Sequence, residues 1–598
     1  MHRGPPGSVG EKNRVTNKAI ARIFYDIADI LEIRGENLFR AMAYRNAGRS
    51  IELSAEDAGV LYRYGGRRAL ETIPGVGPTI ASMIEQLVTT GHLKYYNRIA
   101  RKIPPVARAL TRIPNIGPKT AMELYRALAV SSIEDLERVI DTPIAAVQVR
   151  EKIRQRIKAG IALLRRRSGQ IPLPVAEPIA RDLVEALREC PGVVSADPVG
   201  SLRRMRETVG DIDIVCATRD PEQAIGRFVS HPRAKQVLGA GVTKAAIIHA
   251  DGVRVDLEIV PAEQYGSRLQ HFTGSEEHNA RLRTWAMERG FSISEYGIEK
   301  DDRLHTFAHE EDVYKFLGMD WIPPELRENQ GEIEAALRHG LPDLVEERDI
   351  RGDLQSHSTW SDGHDQIDAV VRAAIDRGYE YLAITDRTKG VGITRGLDAA
   401  RVAERHNEIA AAKRRYEGRI QLLEGVEVDI RADGHLALPD EILRTMDIVV
   451  ASIHSAVAET TQRITRRLVA AIDHPYVDVI GHPSGRLLGE REAYPAGWDE
   501  VFAAAARRRV ALEINASPNR LDLNDTLARE AGRRGVDLAI NTAAHKVEHL
   551  AMMRYGVAVA RRAWLTPAHV VNTRPWTRFS TWLYERKAFA REIRLTAA

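Results

Sequence analysis

Three aspartates with strand-like spacing carry the clearest chemical signal in this sequence. Asp211 and Asp213 alternate in GDIDIVCA, and Asp256 stands within VRVDLEIV. Alternate residues of a strand share a face, so the first two carboxylates point the same way. Three carboxylates on neighbouring strands repel one another unless a cation compensates, and Mg²⁺ prefers oxygen ligands. Two such ions can align an attacking hydroxyl and stabilise a leaving pyrophosphate, so the pattern predicts phosphoryl transfer.

The residues between the aspartates predict a buried face behind this site. They are the apolar positions Ile212, Ile214 and Cys216 in the first strand and Val253, Val255, Leu257 and Ile259 in the second. We expect them to point into a core, opposite the carboxylates.

A Gly-Ser pair stands ten residues before the first aspartate. Gly200 and Ser201 can offer a backbone N–H and a hydroxyl to a triphosphate, and Arg204 adds a charge-assisted contact. A lone Asp-X-Asp is more often a solvent-facing strand edge. The Gly-Ser pair upstream and the third aspartate downstream favour a nucleotide site.

Two Pro-X-X-Gly-Pro turns precede this region, IPGVGPTI at 73–80 and IPNIGPKT at 113–120. Glycine relieves steric limits at such a turn, and proline suits the first helical turn. The N–H groups of a helix start can bind phosphate without reading bases. One copy would be an ordinary helix turn, whereas two copies favour DNA binding. The run REKIRQRIKAGIALLRRR at 150–167 adds positive charge, although a basic run alone is more often a solvated helix face.

Histidines and carboxylates recur later, at the ends of short apolar runs. The segments are GDLQSHSTWSDGH, YLAITDR, EGVEVDI, ASIHS, IGHPSGR, LEINASP and NTAAH. An isolated histidine is usually a hydrogen-bonded core or surface residue. Several such residues in the register of a metal-binding family would point to an ancestral metal site.

The elements that must position these groups change along the chain. Residues 15–165 read as short helices, and strand-like runs DIDIVCA, AAIIHA and VRVDLEIV follow a proline-spaced connector. A charged, helical stretch is expected from 276 to 335, and LPDLVEERDI reads as a polar connector. After it, YLAIT, IQLLEGVEV, DIVVASI, VDVIGH, VALEIN and DLAIN alternate with Ala- and Arg-rich helices. Such alternation predicts parallel strands in a barrel or layered sheet.

Composition is that of an ordinary globular protein of several domains. The 598 residues are 44% hydrophobic and 28% charged, with net charge +4. Two cysteines, Cys190 and Cys216, cannot build a disulfide framework or a cysteine zinc site. No membrane span is expected, and the N-terminus lacks a secretory signal. We expect a cytoplasmic monomer.

The combination of Gly200-Ser201, GDIDI, VDL and HFTGS at 271–275 resembles the X family of DNA polymerases, within the nucleotidyltransferase superfamily. The resemblance implies that Asp211 and Asp213 bind two Mg²⁺, and that Asp256 helps activate the primer 3′-hydroxyl. It implies deoxynucleoside triphosphate contacts at Gly200, Ser201, Arg204, Gly210, Phe272, Gly274 and Asn279. DNA contacts are implied at Gly75, Gly77, Gly117, Lys119 and Arg283.

Three positions depart from that family's pattern. His271 replaces the usual tyrosine that screens the ribose 2′ position, which puts discrimination against ribonucleotides in doubt. Met83 stands where repair members carry a Schiff-base lysine, so lyase activity there should be weak or absent. Asn115 replaces the first glycine of the second turn, which weakens that grip.

Residues 350–575 resemble the polymerase-and-histidinol-phosphatase (PHP) domain, whose His, Asp and Glu side chains bind a metal cluster. Retained positions are His357, Asp362, Glu427, His454, His482 and His545. Three ligand positions are replaced, by Gln355, Arg387 and Ala543. Arginine opposes cation binding directly. The hypothesis is a degraded, mostly inactive nuclease domain with doubtful Mn²⁺ or Zn²⁺, in which His364, Asp386 or His435 could substitute.

These patterns predict a multidomain α/β protein with a helical helix-hairpin-helix region, a nucleotidyltransferase palm and a PHP-type barrel. The predicted domains are 1–92 and 93–170 for DNA binding, 171–270 for the palm, 271–335 for the nascent base pair, 336–350 as a linker and 351–598 for the PHP domain. The predicted function is template-directed synthesis across short gaps, with gapped or primer-template DNA and dNTPs as partners. Alternatives are a bifunctional polymerase with 3′–5′ exonuclease or AP-endonuclease activity, a nuclease whose polymerase half only positions DNA, a non-catalytic DNA platform, and a template-independent transferase.

Overall fold

The computed structural model describes residues 17–33, 38–52, 58–73, 75–100, 118–128, isolated positions between 110 and 158, and 170–597 apart from 390–395, 458, 489–490 and 492. The chain divides into two compact units, Met1–Gly169 and Gln170–Ala598. Within the described part, no helix is long and apolar enough to cross a membrane.

The described part of the first unit is helical, as the sequence predicts. Its helices are α1 Asn17–Ile33, α2 Leu38–Glu52, α3 Ala58–Leu70, α4 Pro78–Thr90, α5 Lys94–Ala100 and α6 Pro118–Leu128. The first Gly-Pro turn leads directly into α4, whose N-cap is Gly77 and whose first residue is Pro78. Gly75 has φ +80°, a conformation that glycine adopts at little cost.

The second unit begins with a mixed five-stranded sheet, the palm sheet. Its strands are β2 Val193–Pro198, β4 Ile212–Thr218, β5 Ala234–Ala240, β6 Lys244–His249 and β7 Arg254–Val260. Two short strands, β1 Ile171–Pro172 and β3 Thr208–Val209, form a separate antiparallel pair. The order is β2-β4-β7-β6-β5, in which β4 and β7 are parallel and the other pairs antiparallel. Helices α7 Leu173–Arg188, α8 Gly200–Arg203 and α9 Pro221–Val229 accompany it. The three predicted palm strands are confirmed.

The next region departs from the expected helical stretch. It contains α10 Tyr265–Thr273, α11 Glu276–Met287, α12 Glu310–Phe316 and α13 Glu332–Leu337, but also an antiparallel sheet of β8 Ser292–Ser294, β9 Gly297–Lys300 and β10 Arg303–His305. A Cβ on Gly297 would lie 2.1 Å from the carbonyl oxygen of His305, so this hairpin requires glycine. The charges that suggested a helix lie on the exposed side of these short strands, as at Glu299 and Lys300.

The C-terminal half is a nearly closed barrel of seven parallel strands. They are β11 Gly352–Ser356, β12 Tyr381–Ile384, β13 Gln421–Asp429, β14 Ile448–Ser452, β15 Val479–Ile480, β16 Ala511–Asn515 and β17 Leu538–Asn541. Its helices are α14 Ile367–Asp376, α15 Ala399–Arg415, α16 Asp440–Leu443, α17 Thr461–Asp473, α18 Trp498–Arg508, α19 Asp525–Arg533, α20 Met553–Arg562 and α21 Trp576–Ala597. A parallel bridge between Ser356 and Ala544 brings the first strand beside the last.

Sequence patterns identified six of the seven barrel strands and missed β11. That strand reads GDLQS, and its Asp353 and Gln355 are fully buried. Asp353 accepts hydrogen bonds from the backbone N–H and the hydroxyl of Thr542. A strand that buries paired polar groups lacks the apolar run by which strands are recognised.

Palm and barrel share one hydrophobic core. A continuous cluster of buried residues runs from Ile171 and Leu183 of the palm region to Leu512 and Val570 of the barrel. Residues 341–350, which read as a polar connector, contribute Val345 and Ile350 to it. The barrel is therefore part of the same packed body as the palm.

Candidate active sites of the palm and the barrel

Two adjacent palm strands bring the aspartates to one surface. The parallel register of β4 and β7 sets Asp213 directly opposite Asp256. Asp211 precedes the first residue of β4 and stands two residues before Asp213, a spacing that puts both side chains on the same side where the chain is extended. Neighbouring strands are about 4.8 Å apart, so a single ion can reach carboxylates on both. All three aspartates are partly exposed, and among the described residues their oxygens do not form a group of three within 4.8 Å of one another.

The opposite face of these strands is buried, as the alternation predicted. Ile212, Ile214, Cys216, Val255, Leu257 and Ile259 are all less than 9% exposed, and Val253 packs against the same core. Burial raises the pKa of the Cys216 thiol to about 12. The thiol is therefore a neutral core group.

Arg254 supplies positive charge to the carboxylate surface. Its Nε and Nη2 lie 2.8 and 2.9 Å from the two carboxylate oxygens of Asp256, a bidentate pair. Arg254 stands two residues before Asp256 in β7, so the strand puts both side chains on one face. The sequence analysis did not include Arg254, although its spacing in VRVD could have revealed it.

The Gly-Ser pair lies beside Asp213. The Val199 N–H donates to the Asp213 carbonyl at 2.9 Å, which ties this loop to β4. Gly200 has φ +66°, and a Cβ there would lie 3.8 Å from Asp213 Oδ2. Ser201 follows within α8 and is partly exposed. The loop therefore borders the surface where the carboxylates converge.

Arg204 is held by groups from the region after the palm sheet. Its Nε donates to Glu328 Oε1 at 3.0 Å, and its Nη1 donates to the Thr273 carbonyl at 2.5 Å. Burial lowers the pKa of Arg204, and Glu328 opposes that shift. A Cβ on Gly274 would come within 3.0 Å of Arg204 Nη1, so this glycine permits the close approach.

The residues expected to meet the sugar and base form a tight local network. Asn279 Nδ2 donates to the His271 carbonyl at 2.7 Å, and Gln270 Nε2 donates to Asn279 Oδ1 at 3.0 Å. Phe272 packs edge-to-face against the His271 ring at 5.2 Å. Burial lowers the pKa of His271. The polar atoms of Asn279 are thus engaged within the protein, whereas Gly210 and Arg283 are exposed.

In the first unit, α4 offers an uncapped N-terminus after Gly75 and Gly77. Its first backbone N–H groups lack intrahelical acceptors, as at any helix start. Met83 lies on this helix and lines a groove of about 360 Å³ with Lys94, Tyr95 and Arg98. The fold therefore brings the amine of Lys94 to the same groove as Met83. In the second turn, Gly117 and the side chain of Lys119 lie outside the described residues.

The six histidine and carboxylate positions converge at the carboxyl ends of the barrel strands. They form two groups, each with donor atoms within 4.8 Å of one another: His357, Asp362 and His545, and Glu427, His454 and His482. The structure thus brings the sequence-derived positions together as two neighbouring triplets, with His357 Nε2 of one 3.8 Å from Glu427 Oε2 of the other.

Arg387 lies between the two triplets. Its Nη1 is 2.9 Å from Asp362 Oδ2, and its Nε is 3.0 Å from Glu427 Oε2. Its side chain is 18% exposed, against 2% for Glu427. The Arg387 guanidinium therefore neutralises one carboxylate of each triplet.

Burial and neighbouring charges shift the pKa values of the carboxylates and histidines around Arg387. Burial tends to raise the pKa values of Glu427 and Asp362, but Arg387 and the neighbouring histidines hold both well below the usual range. Burial lowers the pKa of His357 to about 4 and that of His482 to about 3. Both imidazoles are neutral near pH 7, as metal ligands must be.

The replaced positions leave visible gaps in the ligand set. Gln355 is fully buried, and neither oxygen nor nitrogen of its amide has a hydrogen-bond partner. Ala543 contributes only its carbonyl, which accepts from His545 Nδ1 at 2.7 Å. The three-ligand triplets remain, but the full cluster does not fit, because Arg387 occupies the space between them.

The suggested substitute ligands lie outside both triplets. Asp386 accepts hydrogen bonds from Ser358, Ser361 and Arg405, so its oxygens already have partners. His435 is exposed in the turn after β13. Among the described residues, neither these two nor His364 belongs to a metal-like group.

A palm sheet that carries Asp213 and Asp256 on adjacent parallel strands, joined to a parallel barrel with histidines at its carboxyl end, is the arrangement of a nucleotidyltransferase fused to a histidine-bearing α/β barrel. Family models match at residues 15–93 (helix-hairpin-helix domain), 107–161 (SAM-like helix-hairpin-helix tandem), 268–328 (DNA polymerase beta thumb) and 353–517 (PHP domain).

One relative is similar in sequence along nearly the whole chain, and two others along part of it. A Bacillus subtilis protein described as DNA polymerase/3′-5′ exonuclease PolX is 35% identical over 565 residues, which cover 93% of this chain and 97% of that one. Two probable phosphatases of Thermoanaerobacter are each 30% identical over 233 residues, 37% of this chain and 90% of theirs. The chain therefore belongs to the X family of DNA polymerases that carry a C-terminal PHP domain.

Proposed function

We propose that this DNA-directed DNA polymerase fills short gaps in duplex DNA during repair, with DNA and dNTPs as its substrates. The observation that carries the proposal is the register that sets Asp213 opposite Asp256, with Gly200 beside Asp213 and Asp211 two residues upstream in the sequence. Three hard oxygen donors suit Mg²⁺. Two helix-hairpin-helix segments in the same chain support a DNA substrate.

In this mechanism the chain's residues position and neutralise charge. Asp211, Asp213 and Asp256 would hold two Mg²⁺, which supply charge stabilisation for in-line attack at the α-phosphate. Asp256 would orient the primer 3′-hydroxyl and accept its proton. Ser201 and Arg204 would receive the triphosphate oxygens, as expected for a reaction that depends mainly on positioning.

Primer extension on a one-nucleotide-gapped duplex tests this assignment. Asp256→Ala should abolish synthesis, whereas its affinity for gapped DNA should stay near that of wild type. Asp251→Ala is the matched control, because Asp251 lies in the turn between β6 and β7 with its side chain 51% exposed. Synthesis by Asp256→Ala at the wild-type rate would refute the triad assignment.

For the PHP domain we propose a mainly structural role, with metal-dependent nuclease activity weak or absent. The relative from Bacillus subtilis carries an exonuclease in its description, and two intact triplets favour that second function. Against it stands Arg387, whose charge between Asp362 and Glu427 opposes a shared cation.

The labelled primer of the same assay also reports degradation. We expect no shortening with Mg²⁺ or Mn²⁺, in wild type or in Asp256→Ala. Shortening that persists in Asp256→Ala and disappears in His357→Ala would show an active PHP nuclease and overturn this part of the proposal.

A further inference from the structure

A barrel arginine reaches into the polymerase half. Arg562 is the last residue of α20, and its side chain is 2% exposed. Its Nη1 lies 3.1 Å from Glu328 Oε1 in the region that matches the polymerase thumb. Its Nη2 pairs with Asp525, the first residue of α19. The same Nη1 approaches the Arg204 carbonyl at 3.4 Å.

Glu328 joins this barrel arginine to Arg204. One oxygen, Oε1, accepts from Arg204 Nε at 3.0 Å and from Arg562 Nη1 at 3.1 Å. Arg206 Nη1 is more distant, at 3.7 Å. The Thr273 carbonyl fixes one end of the Arg204 guanidinium. The Nε side is fixed by Glu328, a carboxylate whose other close partner is the barrel residue Arg562.

Rigidity distinguishes Arg562 from the other groups around Glu328. Its guanidinium is clamped between Asp525 and Glu328 in a buried position, where charge-assisted hydrogen bonds are strong. Glu328 lies on an irregular segment after a short 3₁₀ turn, Pro324–Leu326. Without Arg562, the position of the Glu328 carboxylate would be less restricted, because the irregular segment and the remaining arginines do not hold it as tightly.

We propose that Arg562 is a positioning residue for nucleotide incorporation: through Glu328 it holds Arg204 in the orientation that receives the triphosphate of the incoming dNTP. This inference rests on the proposed role of Arg204. It assigns the PHP domain a direct part in the polymerase reaction that requires no metal in the barrel.

Steady-state incorporation by the full-length protein tests the proposal. Arg562→Met should raise the KM for dNTP about tenfold, the loss expected for one charge-assisted contact, with kcat changed less than about twofold. The Kd for gapped DNA should not change. Arg562→Lys should recover part of the KM effect, because an ammonium keeps the charge but not the two-pronged geometry.

Arg561 provides a matched control on the same helix. Its Nε pairs with Glu325 at 2.7 Å, and its Nη1 approaches the Val345 carbonyl at 3.3 Å, so it also joins barrel to thumb. Arg561→Met should lower Tm in the same way as Arg562→Met but leave the KM for dNTP unchanged. Equal KM effects in the two variants would indicate general loosening and overturn the positioning role.

The variant Arg204→Met tests the role of Arg204 separately from the role of Arg562. If it raises KM and Arg562→Met does not, the positioning role is wrong while the role of Arg204 stands. If Arg204→Met leaves KM unchanged, the assignment of Arg204 fails and the inference fails with it. The double variant should be no worse than Arg204→Met alone, and multiplied effects would contradict a shared route. Should Arg562→Met not fold, Glu328→Gln weakens the same link by removing the carboxylate charge that Arg204 and Arg562 share, and should raise the KM for dNTP in the same direction.

Discussion

Replacing Arg387 by histidine should convert the barrel from a site that repels metal into one that binds it. Arg387 lies 2.9 and 3.0 Å from carboxylate oxygens of Asp362 and Glu427, so an ion shared by those carboxylates would meet its guanidinium. A unit charge and a divalent ion about 4 Å apart repel by about 8 kcal/mol at an effective dielectric constant of about 20. The long side chain can swing aside, which relieves most of this repulsion.

If about 3 kcal/mol of repulsion persists, its removal strengthens binding about 100-fold, since 1.4 kcal/mol is tenfold. The same substitution has a cost without metal, because Glu427 is 2% exposed and loses its cationic partner. Breaking such a buried pair costs about 3 kcal/mol or more. Arg387→His should therefore melt below wild type in EDTA and recover stability when Mn²⁺ or Zn²⁺ is added.

Calorimetric titration and metal analysis after dialysis measure the binding, and thermal melts with and without EDTA measure the stability. Arg387→Lys is the matched control, because it keeps a charge at the same place and should gain no affinity. Unchanged synthesis on gapped DNA would show that the palm is intact. If Arg387→His bound metal no better than wild type or Arg387→Lys, the argument that this cation excludes metal would be refuted.

Two further predictions concern the thumb region and the first unit. Glu310 is 3% exposed and pairs with Arg203 and the fully buried Arg327, so Glu310→Gln should cost about 3–5 kcal/mol in urea unfolding at pH 7. Burial favours the protonated acid, but Arg327 and Arg203 hold the pKa of Glu310 well below its usual range. The ion pairs of Glu310 thus stabilise the fold above the unfolded pKa of about 4.3, and this stabilisation is lost as the pH falls below that value. The free energy of unfolding of Glu310→Gln should therefore fall less steeply with decreasing pH than that of wild type, and an equal slope would contradict this. Met83→Lys adds an amine to the groove that holds Lys94 and Arg98. Borohydride should then trap a covalent adduct between this variant and DNA with a 5′-deoxyribose-phosphate end. An adduct formed by the wild-type protein would show that a different residue is the nucleophile.

Local sequence patterns predicted strands and the direction of their side chains correctly where one face of the strand is uniformly buried. The alternation in DIDIVCA and VRVDLEIV identified strands and the face of each aspartate, because a period of two admits only one buried side. The same pattern failed for GDLQS, because Asp353 and Gln355 are buried polar residues and the partner of Asp353, Thr542, follows β17 far along the chain. It failed again at 292–305, where strands of three or four residues are too short to show a period.

The sequence by itself determined the family, and it predicted the carboxylate triad and the replaced PHP ligand positions, because residue type and spacing along one strand or turn carry that information. Tertiary structure alone decided which groups meet across strands and domains. Arg387 contacts carboxylates of both triplets, and Arg562 contacts the carboxylate that holds Arg204; in each case the partners are far apart in the chain. Such contacts depend on how strands, helices and loops pack, and no periodicity within a single element encodes them.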